Sequence, residues 1–316
     1  MAILILFPAC QIDPQQEDIG AKTTAETAQQ ATPPSIDELL ALSGKAYQND
    51  FKVWQNKRVD DLKHSNSFMN LVGLFWLKEG TSTFGSGSTN DFVFPTKTPA
   101  EIGTFILEGE TVRMEVKKGA QVFVDEKTSP TATLFTPELE KFPVSEIASV
   151  QWFVIKRGKE IGIRVRDADS GNTANLQTIE RFPVNETWRV SATFSPYAEP
   201  KIVANKNVLD IDIENTYAGV LDFELEGKPY QLYPTSAGSY YYVRVADETT
   251  GESTYEIGRY LDVPTPDEKG KTILDFNRLY NPPCAFSKYA TCPLPTKENT
   301  LDLAILVGEK SYKAKL

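Results

Sequence analysis

Arginines on strand-like segments, and one turn rich in asparagine and proline, carry most of the chemistry legible in this chain. In "GIRVRD" Arg164 and Arg166 fall on one face of a strand, opposite Ile163 and Val165, with Asp167 closing the run. "ERFPVNETWRV" contributes Arg181 and Arg189, "IGRYLD" contributes Arg259, and "DFNRLYNPP" presents Asp275, Asn277, Arg278, Tyr280 and Asn281. A guanidinium is a planar fork suited to bidentate capture of carboxylate or phosphate. Arg164, Arg166, Asp167, Arg189, Arg259, Asp275, Asn277, Arg278, Tyr280 and Asn281 are therefore the candidate ligand-binding residues. Structural ion pairs to Asp167, Asp275 and their neighbours are the competing use of the same groups.

Other chemistries find less material. The chain has one histidine, His64, so any Ser-His-Asp or Cys-His mechanism has to run through it, and no G-x-S-x-G elbow accompanies it. Histidine-built zinc sites are excluded by count, and two cysteines alone cannot complete a four-ligand site. "DADSGNT" (167–173) opens like a calcium loop, but its glycine comes early and no acid closes it. In "DIDIE", Asp210, Asp212 and Glu214 share a strand face without a diagnostic spacing. "FGSGSTND" (84–91) lacks the Walker lysine and reads as a tight turn, somewhat like the first turn of a forkhead-associated sandwich. The arginine and Ser-x-x-His of that recogniser are missing. No metal and no cofactor are expected, and no catalytic residue can be assigned.

With 33 basic and 43 acidic residues the formal charge is −10, which argues against a nucleic-acid partner. The short cluster Lys156, Arg157 and Lys159 straddles Gly158 and reads as a hairpin tip. The first ten residues, "MAILILFPAC", are a short apolar run ending at Cys10, like a truncated lipoprotein signal with Cys10 as the lipidated residue. The run is too short to span a bilayer. Residues 11–35, rich in Gln, Thr, Ala and Pro, then read as a flexible tether. The expectation is an exported protein held to the periplasmic or envelope membrane by its lipid. Lipidation of Cys10 leaves Cys284 and Cys292 as one pair in an oxidising compartment, and the expectation is a disulfide bracing a proline-rich loop.

Those residues need a scaffold. Ser35 precedes Glu38 by three positions, a capping box, and apolar residues recur at helical spacing through Phe51 and Trp54. Residues 36–66 are thus expected to be helical, in two segments broken near Gly44 or Asn49. Beyond them, short β-branched or aromatic runs alternate with Gly, Asn and Asp turns at hairpin spacing. The fold class is mainly β, with antiparallel sandwich or barrel-like sheets behind a short N-terminal helical segment. A change of rhythm in "TPELEKFPVSE" divides the rest into a β-rich subdomain at 67–145 and a main β-rich domain at 146–316.

Taken together, "LVGLFWLKEGTSTFGS", "GIRVRD", "TYEIGRYLDV" and above all "DFNRLYNPPCAFSKYATCPLPTKENTL" resemble the bacterial family catalogued as domain of unknown function 1684. The resemblance spans roughly residues 50–312. It implies an exported, often lipid-anchored protein of a Bacteroidetes-like background. Its motif positions map onto Arg164, Arg166, Asp167, Trp188, Arg189, Arg259, Asp275, Asn277, Arg278, Tyr280, Asn281, Cys284 and Cys292, and it brings no activity with it. Three functions are open. The first is an anchored protein that binds a small anionic or carbohydrate ligand through an Arg/Asn/Tyr-rich pocket. The second is a histidine-independent, hydrolase-like enzyme using Asp275 with Arg278 and Asn277. The third is an envelope module that docks another protein.

Overall fold

The computed structural model describes residues 34–174, 176 and 178–312. The lipobox-like segment with Cys10, and the tether up to residue 33, lie outside the described residues. Helix α1 (Ile36–Ala41) starts on the capping box, with the Ser35 hydroxyl accepting from Glu38 N–H and the Glu38 carboxylate accepting from Ser35 N–H. Helix α2 (Gly44–Lys63) follows after a break at Leu42–Ser43, and His64 caps its end.

Everything beyond is built from strands and turns. The first half comprises β1 (Leu71–Trp76), β2 (Gly80–Gly85), β3 (Phe92–Val93), β4 (Gly103–Glu108), β5 (Thr111–Val116), β6 (Phe123–Val124), β7 (Lys127–Thr128), β8 (Thr131–Phe135), β9 (Ser145–Ile147), β10 (Val150–Arg157) and β11 (Glu160–Asp167). They form two sheets, ordered β1-β11-β10-β9-β6-β7 and β3-β2-β4-β5-β8. The second half comprises β12 (Arg189–Lys206), β13 (Asp212–Leu225), β14 (Lys228–Leu232), β15 (Thr235–Ser236), β16 (Tyr240–Val245), β17 (Arg259–Pro264) and β18 (Lys271–Asp275). Its sheets are β14-β13-β12-β18 and β15-β16-β17. Apart from the β2–β3 pair the named strand pairs are antiparallel, and the fold is mainly β with an N-terminal helical segment.

Among the described residues two large apolar cores result, beside a small cluster of Leu62, Met69, Leu176 and Ile179. The first gathers Phe84, Phe105, Met114 and Trp152, with Phe84 and Phe94 edge-on to the Trp152 indole. The second gathers Trp188, Leu221, Leu261 and Phe276. Strands β10 and β11 bury Trp152, Val154, Ile163 and Val165 in the first core. The division between cores therefore falls after Asp167 rather than at the 145/146 boundary that the sequence rhythm points to. The rhythm changes there because 136–144 is a loop within the first unit, not a linker.

The halves meet at a specific seam. The β10–β11 hairpin turns at Gly158, which adopts φ +55° and lets the backbone of Asp212 approach to where a Cβ would sit 2.1 Å from its carbonyl oxygen. Beside it, Arg157 Nε and Arg164 Nη2 both donate to Thr291 Oγ1. The cysteine-bearing loop is thus held from both sides, since Val208 N–H also donates to the Cys292 carbonyl.

Candidate functional site

The candidate residues do not share one pocket; the fold sorts them into four clusters. The first lies under α2. Asp275 ends β18, where it receives Tyr47 Oη at 3.0 Å on both carboxylate oxygens, Asn277 Nδ2 at 3.1 Å and Arg278 Nε at 3.1 Å. Arg189 stands 3.7 Å from the same carboxylate, stacks over the Tyr47 ring at 4.0 Å and donates to the carbonyls of Leu39 and Leu42. Arg278 also pairs with Asp50 of α2, and Arg181 lies over the rings of Phe51 and Trp54. The helix thus occupies the ground that a ligand of Asp275, Asn277, Arg278 and Arg189 would need.

Burial pushes the Asp275 carboxyl above its ordinary pKa, and this outweighs the opposing pull of Arg278, Asn277, Tyr47 and Arg189. Asp275 by itself therefore favours folding most when protonated. Its contribution is full below the unfolded value of about 4 and is lost as pH rises through the native value. The Tyr47 hydroxyl limits that loss by donating to the ionised form. Tyr47→Phe is expected to cost about 1.5–3 kcal/mol at pH 7, where the carboxylate is charged. The cost should shrink towards pH 4, where a protonated Asp275 needs the donor less. Urea unfolding of both proteins at the two pH values checks this; an equal cost at both would contradict the assignment.

The second cluster is wholly interior. Arg259 has no exposed surface and pairs with Asp247 at 2.9 Å through Nη2, which also donates to the Ile305 carbonyl, while Nη1 donates to the carbonyls of Val307 and Glu309. Next to it, buried Glu309 accepts from Asn281 N–H at 2.7 Å, Asn281 Nδ2 at 3.1 Å and Arg58 Nε at 3.3 Å. These contacts fix the last extended segment of the chain. Arg259 and Asn281 are frame residues.

The third cluster belongs to β11. Asp167 pairs with Lys97 at 2.9 Å and accepts from Ser149 Oγ at 2.7 Å. Burial works against its charge, but the bonds from Lys97, Ser149 and Asp169 N–H hold the carboxyl below its usual range. Arg166 lies over the Phe153 ring at 5.4 Å, and Arg164 joins Arg157 on Thr291.

The fourth cluster is the one with an open side. In β16 the alternation of "YYYVRV" turns Val243 and Val245 into the second core and puts Tyr240, Tyr242 and Arg244 on the opposite face. The register sets Arg244 opposite Tyr260 and Tyr242 opposite Asp262, and an isolated bridge adds Tyr280 beyond Tyr260. Directly paired residues share a face, so Arg244, Tyr260 and Tyr280 form one row and Tyr242 and Asp262 the next. Tyr280 donates to Asp262 Oδ1 at 2.8 Å and carries the Arg58 guanidinium at 4.7 Å from its ring centre. Tyr242 and Tyr280 are half-buried, and Asp262 is exposed.

Arg244 sits at the inner end of this face. It is 6% exposed and donates to Asn215 Oδ1 at 2.8 Å and Tyr242 Oη at 3.3 Å. Among the described residues no carboxylate lies within ion-pair range of it. Buried guanidiniums are ordinarily paired, as Arg259 is here. The neighbouring Asn215 Nδ2, also buried, has no hydrogen-bond partner among the described residues. Of this constellation the candidate residues included only Tyr280. The Tyr-x-Tyr-x-Arg alternation was the signal that could have found Arg244; nothing local says that it lacks an acid.

Cys284 and Cys292 stand together as free thiols rather than as the expected disulfide, with Cys284 N–H donating to Cys292 Sγ at 3.2 Å. Two surface depressions elsewhere, one bordered by Asn90, Glu101 and Lys117 and the other by Tyr230, Gln231 and Asp302, contain none of the candidates. Among the described residues, no helix is long and apolar enough to cross a membrane.

No curated protein matches the chain. A solution NMR structure of an uncharacterised protein from Haloarcula marismortui is 29% identical, over 45% of this chain and 80% of that one, with a TM-score of 0.37. The matched family segment, residues 174–310, contains the second core, the Arg259–Asp247 pair, the tyrosine face with Arg244, and both cysteines. That segment, a little under half of the chain, matches the family described as protein of unknown function (DUF1684).

Proposed function

We propose that this is a binding protein for a small anionic or carbohydrate ligand, an acidic sugar fitting both descriptions, and that the ligand is taken up on the tyrosine face. Buried Arg244 without an acid carries the reading. A carboxylate or phosphate would supply the missing counter-charge, with the Asn215 amide as a further polar partner. The half-buried rings of Tyr242 and Tyr280 offer apolar surface to the rest of the molecule. An exported, lipid-anchored location would suit such a role, and the proposal includes it. The hydrolase-like alternative has less support, because Tyr47 and Asp50 of α2 already engage Asp275 and Arg278.

The test is a thermal-shift screen of residues 34–316 against sugar acids, neutral sugars, phosphates and organic acids. At about a hundred times its Kd a ligand adds about 2.7 kcal/mol, which in a chain of this size raises Tm by about 5–10 °C. Arg244→Met should abolish the shift, while Arg278→Ala, which touches only the helix-covered cluster, should keep it. A shift that survives Arg244→Met, or a panel without any shift, overturns the reading.

A further inference from the structure

The loop from Pro282 to Pro295 holds its two sulfurs in unequal surroundings. Cys284 lies in a short 3-10 turn (Pro283–Ala285) and is half-buried, whereas Cys292 has no exposed surface. Both positions are fixed by the backbone. Tyr255 Oη donates to the Cys284 carbonyl at 2.9 Å, Val208 N–H to the Cys292 carbonyl at 3.0 Å, and Ser287 N–H and Ala290 N–H close turns between them. The Cys284 N–H donates to the Cys292 sulfur at 3.2 Å. The outer sulfur is therefore near solvent and the inner one is directly behind it.

The inner sulfur also has a built anion environment. Burial opposes a thiolate on Cys292, but the Cys284 thiol, Cys284 N–H, the Tyr260 hydroxyl and the Arg164 guanidinium together overcome it and bring its pKa below the ordinary value. Cys284 moves the other way, raised first by its bond to Cys292 and then by burial. A charge on the Cys292 sulfur would meet the Cys284 N–H, which already points at it from 3.2 Å.

We infer that Cys284 and Cys292 are a redox-active dithiol that exchanges with small-molecule thiols and disulfides, with Cys284 the sulfur attacked from outside and Cys292 the leaving and resolving sulfur. In the reducing direction an external thiolate attacks Cys284 Sγ of the disulfide form. An external S–Cys284 bond forms, the Cys284–Cys292 bond breaks, and its electron pair leaves on Cys292, the position the surrounding donors stabilise. A second external thiolate then attacks the external sulfur of the mixed disulfide. It releases a small-molecule disulfide and a Cys284 thiolate, which takes a proton from water. Two electrons pass from the two external thiols to the protein, and oxidation is the same path reversed. Because a better-stabilised leaving thiolate departs faster and favours the reduced form, the couple is more oxidising than a structural disulfide. The inference stands apart from the ligand reading, since it needs no occupant of the tyrosine face.

The experiment equilibrates residues 34–316 with graded ratios of reduced to oxidised glutathione, quenches with acid, alkylates and weighs the protein. One two-electron transition, reached from either end without denaturant, is expected. Cys292→Ser should accumulate a glutathione adduct on Cys284, and Cys284→Ser should leave Cys292 unmodified. Tyr260→Phe should move the midpoint several-fold towards the disulfide, a readout that a merely structural tyrosine would not move. A disulfide that resists excess dithiothreitol until the protein is unfolded would make the pair a static brace and overturn the inference. Two thiols that never oxidise, or an adduct that forms on Cys292 instead, would also overturn it.

Discussion

Asp247→Ala is expected to lower the unfolding free energy by about 3–5 kcal/mol, because it leaves the Arg259 guanidinium buried without a counter-charge. Neither side chain has any exposed surface, so water cannot take over the lost role without opening the second core. Asp247 also accepts from Thr249 N–H, Thr249 Oγ1 and Ile305 N–H, and the substitution strands those donors as well. The drop in Tm should be about 6–20 °C for a chain of this size. Arg259→Met should be comparably costly, since it abandons Asp247 together with the carbonyls of Ile305, Val307 and Glu309. In the double variant Asp247→Ala/Arg259→Met the penalty should fall well short of the sum, because no charge is left unpaired. Chemical denaturation of the four proteins closes the cycle. Single-variant costs below about 1 kcal/mol would mean that these charges do not hold the C-terminal segment.

Glu309→Ala should be nearly as damaging, about 3–5 kcal/mol, for a reason that reaches across the molecule. Its carboxylate is the meeting point of Asn281 on the loop after β18 and Arg58 on α2. Removing it leaves the Asn281 backbone N–H without an acceptor, its Nδ2 with the Lys310 carbonyl alone, and the Arg58 guanidinium held only through Nη2 on the Asn281 carbonyl. Hydrogen exchange should quicken in α2 (Gly44–Lys63) beyond what the global loss accounts for. Glu309→Gln keeps one acceptor oxygen and should fall between the two. Unchanged protection in α2 alongside a large global loss would show that the helix is held by Tyr47 and Asp50 alone.

What the sequence made legible was local. The capping box at Ser35, the hairpin tip at Gly158 and the alternation of "GIRVRD" all rest on residues a few positions apart, and the folded chain keeps each of them. The clusters were not legible because their partners are remote: Tyr47 and Asp50 are each 228 positions from the residue they bond, and Arg58 is 251 from Glu309. Arginine type and strand placement mark a residue as chemically able, but not whether an acid faces it. That is why Arg259, Arg189 and Arg278 proved to be tied into the frame, while Arg244 went unmarked inside an apolar strand.

The distribution of aromatic residues gives the protein its own set of optical reporters. Its four tryptophans sit apart: Trp152 in the first core, Trp76 on β1 beside it, Trp188 edge-on to Phe276 in the second core, and Trp54 on α2. The Trp54 ring packs beside the guanidiniums of Arg181 and Arg278. Emission from single-tryptophan variants therefore separates three events that a whole-molecule melt would merge: lifting of the helix, loss of the N-terminal core and loss of the C-terminal core. Coincident transitions would mean that the seam at Gly158 and Thr291 couples both halves into one cooperative body. A Trp54 change that precedes the others would mean that the arginines beneath the helix come into contact with solvent while both cores are intact.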